Sequence, residues 1–175
     1  DMECGEGFDR ASLSLLGRQQ ELLESLQKTG KPLIVVYIEG RPLEKNWASE
    51  YADALLTAYY PGQEGGNAIA DVLFGDYNPS GRLPISVPRS VGQIPVYYNQ
   101  KAPRNHDYVE VSSSPLYSFG YGMSYTTFEY SDLQVVQKSA RCFEVSFKVK
   151  NTGKYDGEEV SQLYMRDEYA SVVQP

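Results

Sequence analysis

The apolar run PLIVVYI at residues 32–38 is the feature that most constrains the fold. Such a near-continuous, β-branched run of strand length is typical of a strand buried on both faces of a parallel sheet. Residues 13–28 precede it and carry apolar side chains at helical spacing, and the segment TGKP at 29–32 ends that pattern. The sequence therefore predicts a helix followed by a buried parallel strand.

The same alternation continues for another forty residues. A weaker helix is predicted over 46–56, a short strand over 56–60 and a helix with a glycine-rich first turn over 63–74. The turn cluster GDYNPSG at 75–81 closes the series. Helices alternating with strands predict an α/β layer with a mostly parallel sheet.

The pattern changes after residue 81. Residues 82–128 are rich in proline and tyrosine and have little periodicity, which indicates a long ordered connection with functional loops. From residue 128 apolar and polar residues alternate, and strands are predicted over 128–137, 141–153 and 158–167. Three such strands suggest the beginning of a β-sandwich of immunoglobulin or fibronectin type. They cannot complete it, because such a sandwich needs about seven strands. We therefore expect one domain over 1–127 and an incomplete second domain over 128–175.

Charge and composition exclude several classes of partner. The net charge of −7 disfavours nucleic acid and anionic membrane surfaces, because both require a basic face. No apolar run approaches the ~20 residues of a membrane span. Cys4, Cys142 and His106 form no metal-ligand spacing, and both cysteines are expected to be free thiols. The 15 tyrosines could form surfaces that bind sugars, although packing is the favoured explanation for any single one.

Three segments resemble glycoside hydrolase family 3, the family of β-glucosidases and β-xylosidases. They are GKPLIVVYIEGRPL (30–43), YYPGQEGGNAIADVLFGDYNPSGRLPISVPRSVGQIPVYYN (59–99) and PLYSFGYGMSYTTFEYSDL (115–133). The resemblance implies the C-terminal part of the family's α/β sandwich domain, followed by the start of its fibronectin III-like domain.

The resemblance also implies what the chain works with. Family members of this type carry an upstream (β/α)8-like barrel that supplies the nucleophilic Asp, and that barrel is absent from these residues. The implied protein is a retaining, exo-acting β-glycosidase, with a β-glucoside as the foremost substrate and a β-xyloside as the other. It implies no cofactor and no metal, and an exported or periplasmic parent, while the compartment of this chain stays open.

The acidic, glycine-rich stretch ECGEGFDRAS at 3–12 contains the candidate catalytic residue. By resemblance the general acid/base is Glu6, with Glu3 as the rival. Taken without the resemblance, acids near a glycine-rich terminus are ordinarily solvated. Asp9 and Arg10 are expected to form a local salt bridge or a helix start, with Asp9 and Ser12 able to cap the coming helix.

The candidate substrate-binding residues are Tyr97, Tyr98 and Asn99, which are expected to line the outer subsite where the aglycone lies. Two other functions remain open: a non-catalytic carbohydrate-binding or scaffold module of the same fold, and an adhesion-type β-sandwich. The α/β half of the chain argues against an adhesion-type β-sandwich.

Overall fold

A computed structural model describes residue 7, residues 9–100 and residues 107–172. Its elements, in chain order, are α1 Gln19–Gln27, β1 Ile34–Tyr37, α2 Asn46–Tyr51, β2 Ala54–Thr57, α3 Gly65–Phe74, a 3-10 turn Val91–Gln93, β3 Phe128–Ser139 and β4 Cys142–Asn151. They fall into two compact units. The first unit holds the chain up to Ile69, Leu83–Tyr121 and the chain from Tyr164, and the second holds Ala70–Arg82 and Gly122–Leu163.

The first unit contains a parallel pair of strands, as the sequence predicted. Strand β1 pairs with β2, with Ile34 opposite Ala54 and Tyr37 opposite Thr57. The predicted burial of both sheet faces is wrong for the described residues, because Ile34 and Ile38 are 49% and 62% exposed. Among the described residues this sheet has two strands, and one face of β1 is buried whereas the other is more exposed.

The core lies on the covered face of β1. Leu33, Val35 and Tyr37 form a buried cluster with Ala48 of α2. Partly buried side chains surround this cluster; they are Leu15, Leu23, Leu43, Trp47, Ala52 and Leu55. Alternation of side chains along the strand explains why Val35 and Tyr37 point to the same side.

Helix α1 is shorter than the predicted 13–28. Gly17 has a positive φ of 58°, a left-handed conformation that a continuing helix does not admit. The carbonyl of Leu13 accepts the N–H of Glu44 at 2.8 Å, and Leu13 is buried. Leu13 therefore contacts the neighbouring loop, Leu15 packs on the core cluster, and the helix begins at Gln19.

Helix α2 is also shorter than predicted, and β2 begins earlier. The predicted helix 46–56 ends at Tyr51, because Ala52 is already extended (φ −88°, ψ 141°). The carboxylate of Asp53 accepts the N–H of Leu33 at 2.8 Å, which draws the chain alongside β1. Strand β2 therefore occupies Ala54–Thr57 instead of 56–60.

The proline- and tyrosine-rich connection is ordered by backbone pairing within the first unit. Val87 donates to Tyr117 and accepts from Leu116, both at 2.8 Å, and Val87 is only 2% exposed. Gly120 donates to Leu83 at 2.7 Å. These bonds make an irregular segment into a fixed frame, as expected for a long loop inside a compact unit.

The second unit contains an antiparallel hairpin of β3 and β4. Phe128 lies opposite Asn151 and Ser139 opposite Cys142, and the register shifts between Ser131 and Gln134. The two predicted strands are therefore confirmed as strands. Their side chains are mostly exposed on both faces, because a lone hairpin has no layer packed against it among the described residues.

The predicted third strand at 158–167 is not formed among the described residues. Alternation marks an amphipathic extended segment, but a strand also needs a partner for its backbone. Within the second unit, side chains hold the start of this segment instead, through the Arg82–Glu159 ion pair at 2.6 Å and the Tyr130 hydroxyl, which donates to Glu159 at 2.8 Å. Within the described ranges, no helix has the length and apolar character needed to cross a membrane.

Candidate functional site

The loop that follows β1 carries a buried carboxylate that accepts three hydrogen bonds. Glu39 lies two residues beyond the strand and is 4% exposed. Its carboxylate accepts from Lys45 Nζ at 2.7 Å, from the Thr57 hydroxyl at 3.0 Å and from the Leu43 N–H at 3.2 Å. One carboxylate therefore fixes both ends of the 39–45 loop at the carboxyl end of the parallel strands, where α/β sheets commonly place their sites.

Lys45 completes this buried ion pair. Its side chain is 2% exposed, donates to the Leu43 carbonyl at 3.2 Å and lies 4.5 Å from the centre of the Tyr37 ring. Burial lowers the pKa of Lys45, and the contact with Glu39 opposes that shift. Burial, with the Glu39 charge nearby, raises the pKa of Tyr37 to about 12. The pair is shielded from solvent and fully engaged, which fits a group that holds the loop.

Arg41 projects from the middle of this loop and holds the start of the described chain. Its guanidinium forms an ion pair with the carboxylate of Asp9 and donates to the carbonyl of Arg10 at 3.3 Å. The Arg41 side chain is 15% exposed, whereas that of Asp9 is 69% exposed. Asp9 and Arg10, within the acidic, glycine-rich stretch, are thus fastened to the sheet layer.

The two carboxyl groups predicted as catalytic, Glu3 and Glu6, lie outside the described residues, so their assignment stays a prediction. The interpretation of Asp9 and Arg10 as a local salt bridge or a helix start is wrong. Asp9 pairs with Arg41, and the helix begins ten residues later at Gln19. The capping of that helix by Asp9 and Ser12 is wrong for the same reason.

The predicted substrate-binding residues lie after the 3-10 turn. Tyr97 and Tyr98 are 68% and 47% exposed, and Asn99 is partly buried. The Tyr98 ring stacks on Phe119, with centroids 4.4 Å apart, and meets Tyr164 edge-on at 6.0 Å. The structure therefore joins Tyr98 to an aromatic cluster and leaves the Tyr97 ring largely open.

Gln93 fixes the frame that carries these tyrosines. It is 3% exposed, accepts the Arg89 N–H at 2.8 Å and donates to the carbonyl of Ser113 at 2.8 Å. In the same loop the N–H of Ser113 and the hydroxyl of Ser112 lower the pKa of the Asp107 carboxyl. The loop on either side of the 101–106 segment is thus held by backbone-directed hydrogen bonds.

Sequence reasoning missed Glu39, Arg41 and Lys45. The signal available was IEGRPLEK, a cluster of charges directly after a buried strand. Which of those charges is buried depends on what packs over the loop, and spacing alone does not give that. Among the described residues, no group of three His, Cys, Asp or Glu side chains is arranged to hold a metal ion. Cys142 is an exposed free thiol, and Cys4 lies outside the described residues.

Comparisons with known proteins complete the description. A family model described as the glycosyl hydrolase family 3 C-terminal domain matches residues 1–125. The chain is 47% identical to a β-xylosidase of Formosa agariphila and 46% identical to a periplasmic β-glucosidase of Salmonella typhimurium, in each case over 97% of the chain and 24% of the relative. The chain therefore spans about a quarter of the length of these curated relatives.

Solved structures give the same result. A β-glucosidase from Erythrobacter marinus is 48% identical and superposes with a TM-score of 0.86 over 95% of this chain and 23% of its own. A β-glucosidase from Listeria innocua, solved in complex with isofagomine, is 31% identical with a TM-score of 0.69 over 86% of this chain and 28% of its own.

Proposed function

This chain belongs to the glycosyl hydrolase family 3 C-terminal domain family, and from that membership we propose that it is part of a retaining, exo-acting β-glycosidase that cleaves O-glycosyl bonds. The observation that carries the proposal is the similarity over 97% of the chain to proteins named β-xylosidase and β-glucosidase. A β-glucoside is the proposed substrate, with a β-xyloside as the alternative. The proposed parent is exported or periplasmic, as the name of the Salmonella relative suggests.

In the proposed reaction Glu6 supplies the proton and a second carboxylate supplies the nucleophile. Retaining glycosidases hold these two carboxyls ~5–5.5 Å apart. The nucleophile attacks the anomeric carbon while Glu6 protonates the leaving oxygen, giving a glycosyl-enzyme and a free alcohol. Glu6 then removes a proton from water as that water displaces the nucleophile, so two inversions give net retention. We assign the nucleophile to an Asp of a (β/α)8-like barrel upstream of these residues.

The general acid needs a pKa raised toward the working pH. Enclosing Glu6 between this chain and the barrel would raise its pKa by desolvation. Tyr97, Tyr98 and Asn99 are proposed to line the outer subsite. The exposed ring of Tyr97 and the partly exposed ring of Tyr98 support this role, since an open aromatic face can stack on the C–H face of a sugar.

The proposed division is an α/β sandwich domain over 1–127 and the start of a fibronectin III-like domain over 128–175. The parallel pair β1–β2 and the antiparallel hairpin β3–β4 support an α/β part followed by a β part. An antiparallel hairpin is the unit from which such sandwiches are built.

The test is hydrolysis of chromogenic aryl β-glucosides and β-xylosides by the 175-residue chain and by the full-length protein. The chain alone is expected to give no turnover, because it lacks the nucleophile. In the full-length protein Glu6→Gln should lower kcat/KM by about 100-fold or more, the range of general acid–base catalysis, and remove the alkaline limb of its pH profile. Glu3→Gln is the matched control and should change both little.

Turnover by the chain alone that Glu6→Gln abolishes would contradict the proposed absence of the nucleophile. Sugar binding without turnover in the full-length protein would favour the non-catalytic module.

A further inference from the structure

Arg41 connects two parts of the first unit, the 39–45 loop and the residues at positions 9 and 10. On one side it belongs to the 39–45 loop, whose ends are fixed by the buried Glu39–Lys45 pair. On the other side it holds Asp9 and Arg10, which follow Glu6 by three and four residues. We propose that Arg41 is a positioning residue for the general acid/base, acting through the backbone and side chain at positions 9 and 10. This inference rests on the proposed function of Glu6.

The loop is rigid enough to serve as an anchor. Beyond the ion pair, Glu44 donates its N–H to the Leu13 carbonyl at 2.8 Å and Leu43 donates to the Arg41 carbonyl at 2.9 Å. Arg41 itself is mostly buried, with its side chain 15% exposed. A long side chain whose backbone and stem are both fixed loses little further freedom when it binds, so the guanidinium is presented in a defined place.

The distance along the chain makes the anchor effective. Three residues span at most about 10 Å even when fully extended, so the backbone of position 6 can lie no farther than that from the held position 9. Gly7, between these two positions, has a positive φ of 81°, a conformation that favours glycine. Rates of acid catalysis depend steeply on such confinement, because a displacement of about 1 Å can cost about 100-fold.

The charge pattern fits the same role. A free guanidinium near Glu6 would stabilise its carboxylate and lower its pKa, which opposes general acid catalysis. Arg41 is instead paired with the Asp9 carboxylate, so the anchor carries no net charge. The Arg41 Nε is buried without a hydrogen-bond partner among the described residues, and such a donor calls for a further acceptor in the assembled protein.

The experiment measures how the rate depends on the leaving group in the full-length protein. Substrates run from 2,4-dinitrophenyl β-glucoside, which departs without a proton, to phenyl and methyl β-glucosides, which need one. Arg41→Met is expected to lower kcat/KM about 10- to 100-fold on the poor leaving groups and less than about threefold on the dinitrophenyl substrate. Arg41→Lys should recover part of the loss, and Asp9→Ala should show the same pattern more weakly.

Activity on the dinitrophenyl substrate also reports folding, so a selective loss cannot come from an unfolded variant. Arg18→Met is the matched control, because Arg18 is 88% exposed and pairs with Glu21 in the first turn of α1. This variant should show the same dependence of kcat/KM on the leaving group as the natural protein. An equal loss on every substrate, or none, for Arg41→Met would overturn the inference. If Arg41→Met fails to fold, Asp9→Ala decides, since the Asp9 side chain is exposed.

Glu6→Gln separates failure of this inference from failure of the proposed function. If Glu6→Gln leaves the dependence of kcat/KM on the leaving group as it is in the natural protein, Glu6 is not the acid and the proposed function fails. If Glu6→Gln makes kcat/KM depend more steeply on the leaving group and neither Arg41→Met nor Asp9→Ala does so, only the positioning role of Arg41 is refuted.

Discussion

Lys45→Met removes one partner of the buried ion pair and leaves the carboxylate of Glu39 behind. Both side chains are 2% exposed and their charged atoms are 2.7 Å apart. Methionine has nearly the same length as lysine and fills the space over the Tyr37 ring, so the change mainly removes the charge. Glu39 then keeps only the neutral donors, the Thr57 hydroxyl and the Leu43 N–H.

The expected loss of unfolding free energy is about 3–5 kcal/mol, the range for stripping one partner from a buried pair. The two remaining donors partly compensate, so we expect the lower end, about 3 kcal/mol. The double variant Glu39→Gln with Lys45→Met removes both charges and keeps an acceptor for Thr57. It should lie within about 2 kcal/mol of the natural chain, because a neutral pair of similar volume replaces a costly buried one.

Urea unfolding followed by tryptophan fluorescence measures the unfolding free energy of these variants and reports on the layer that contains the ion pair. Trp47 is the sole tryptophan, packs on the core cluster and has its ring centre 5.2 Å from that of Tyr51. Its signal therefore reports the layer in which the pair is buried. A Lys45→Met variant within about 1 kcal/mol of the natural chain, or a double variant as unstable as the single one, would refute the reasoning.

Three further predictions concern the frame around the site. Because burial raises the pKa of Tyr37 to about 12, the stabilisation linked to its neutral hydroxyl is complete below about pH 10 and is lost as the pH rises to 12; in urea titrations Tyr37→Phe should remove roughly 2–3 kcal/mol from the fall in unfolding free energy over this range. Gly122→Ala should destabilise the chain by about 1–3 kcal/mol in thermal melts, because its Cβ would overlap a backbone carbonyl oxygen, whereas Gly66→Ala, with open space in α3, should stabilise it by about 0.5–1 kcal/mol. Gln93→Glu should lower stability by at least about 1 kcal/mol more than Gln93→Met, because a carboxylate would face the carbonyl oxygens to which the amide nitrogen now donates; equal urea midpoints would contradict this.

The sequence predicted the sheet better than it predicted the bounds of its elements. PLIVVYI is a strong local signal, and the parallel pairing of β1 with β2 followed from the helix between them. The early end of α2 and the late start of α1 were not predictable in the same way. They depend on the Asp53 carboxylate reaching Leu33 and on Gly17 adopting a positive φ, which are tertiary and conformational choices.

In the candidate site, too, contacts between residues distant in sequence could not be predicted from local patterns. The resemblance located a catalytic stretch at the start of the chain, but local spacing paired Asp9 with the wrong partners. Its partner Arg41 lies thirty-two residues away in sequence, and no periodicity links the two. The burial of Glu39 with Lys45 was equally hidden, because charged residues in a loop are usually solvated.

The measurement that tests the account most directly is azide trapping by the full-length protein carrying Glu6→Gly. With 2,4-dinitrophenyl β-glucoside, the glycosyl-enzyme forms without acid catalysis. It then accumulates, because the general base that activates water for its hydrolysis is missing. The account predicts that azide accelerates turnover, because azide attacks without base catalysis, and that the product is the β-glucosyl azide. No acceleration by azide, or an α-configured azide, would contradict the assignment of Glu6 as the general acid/base of a retaining glycosidase.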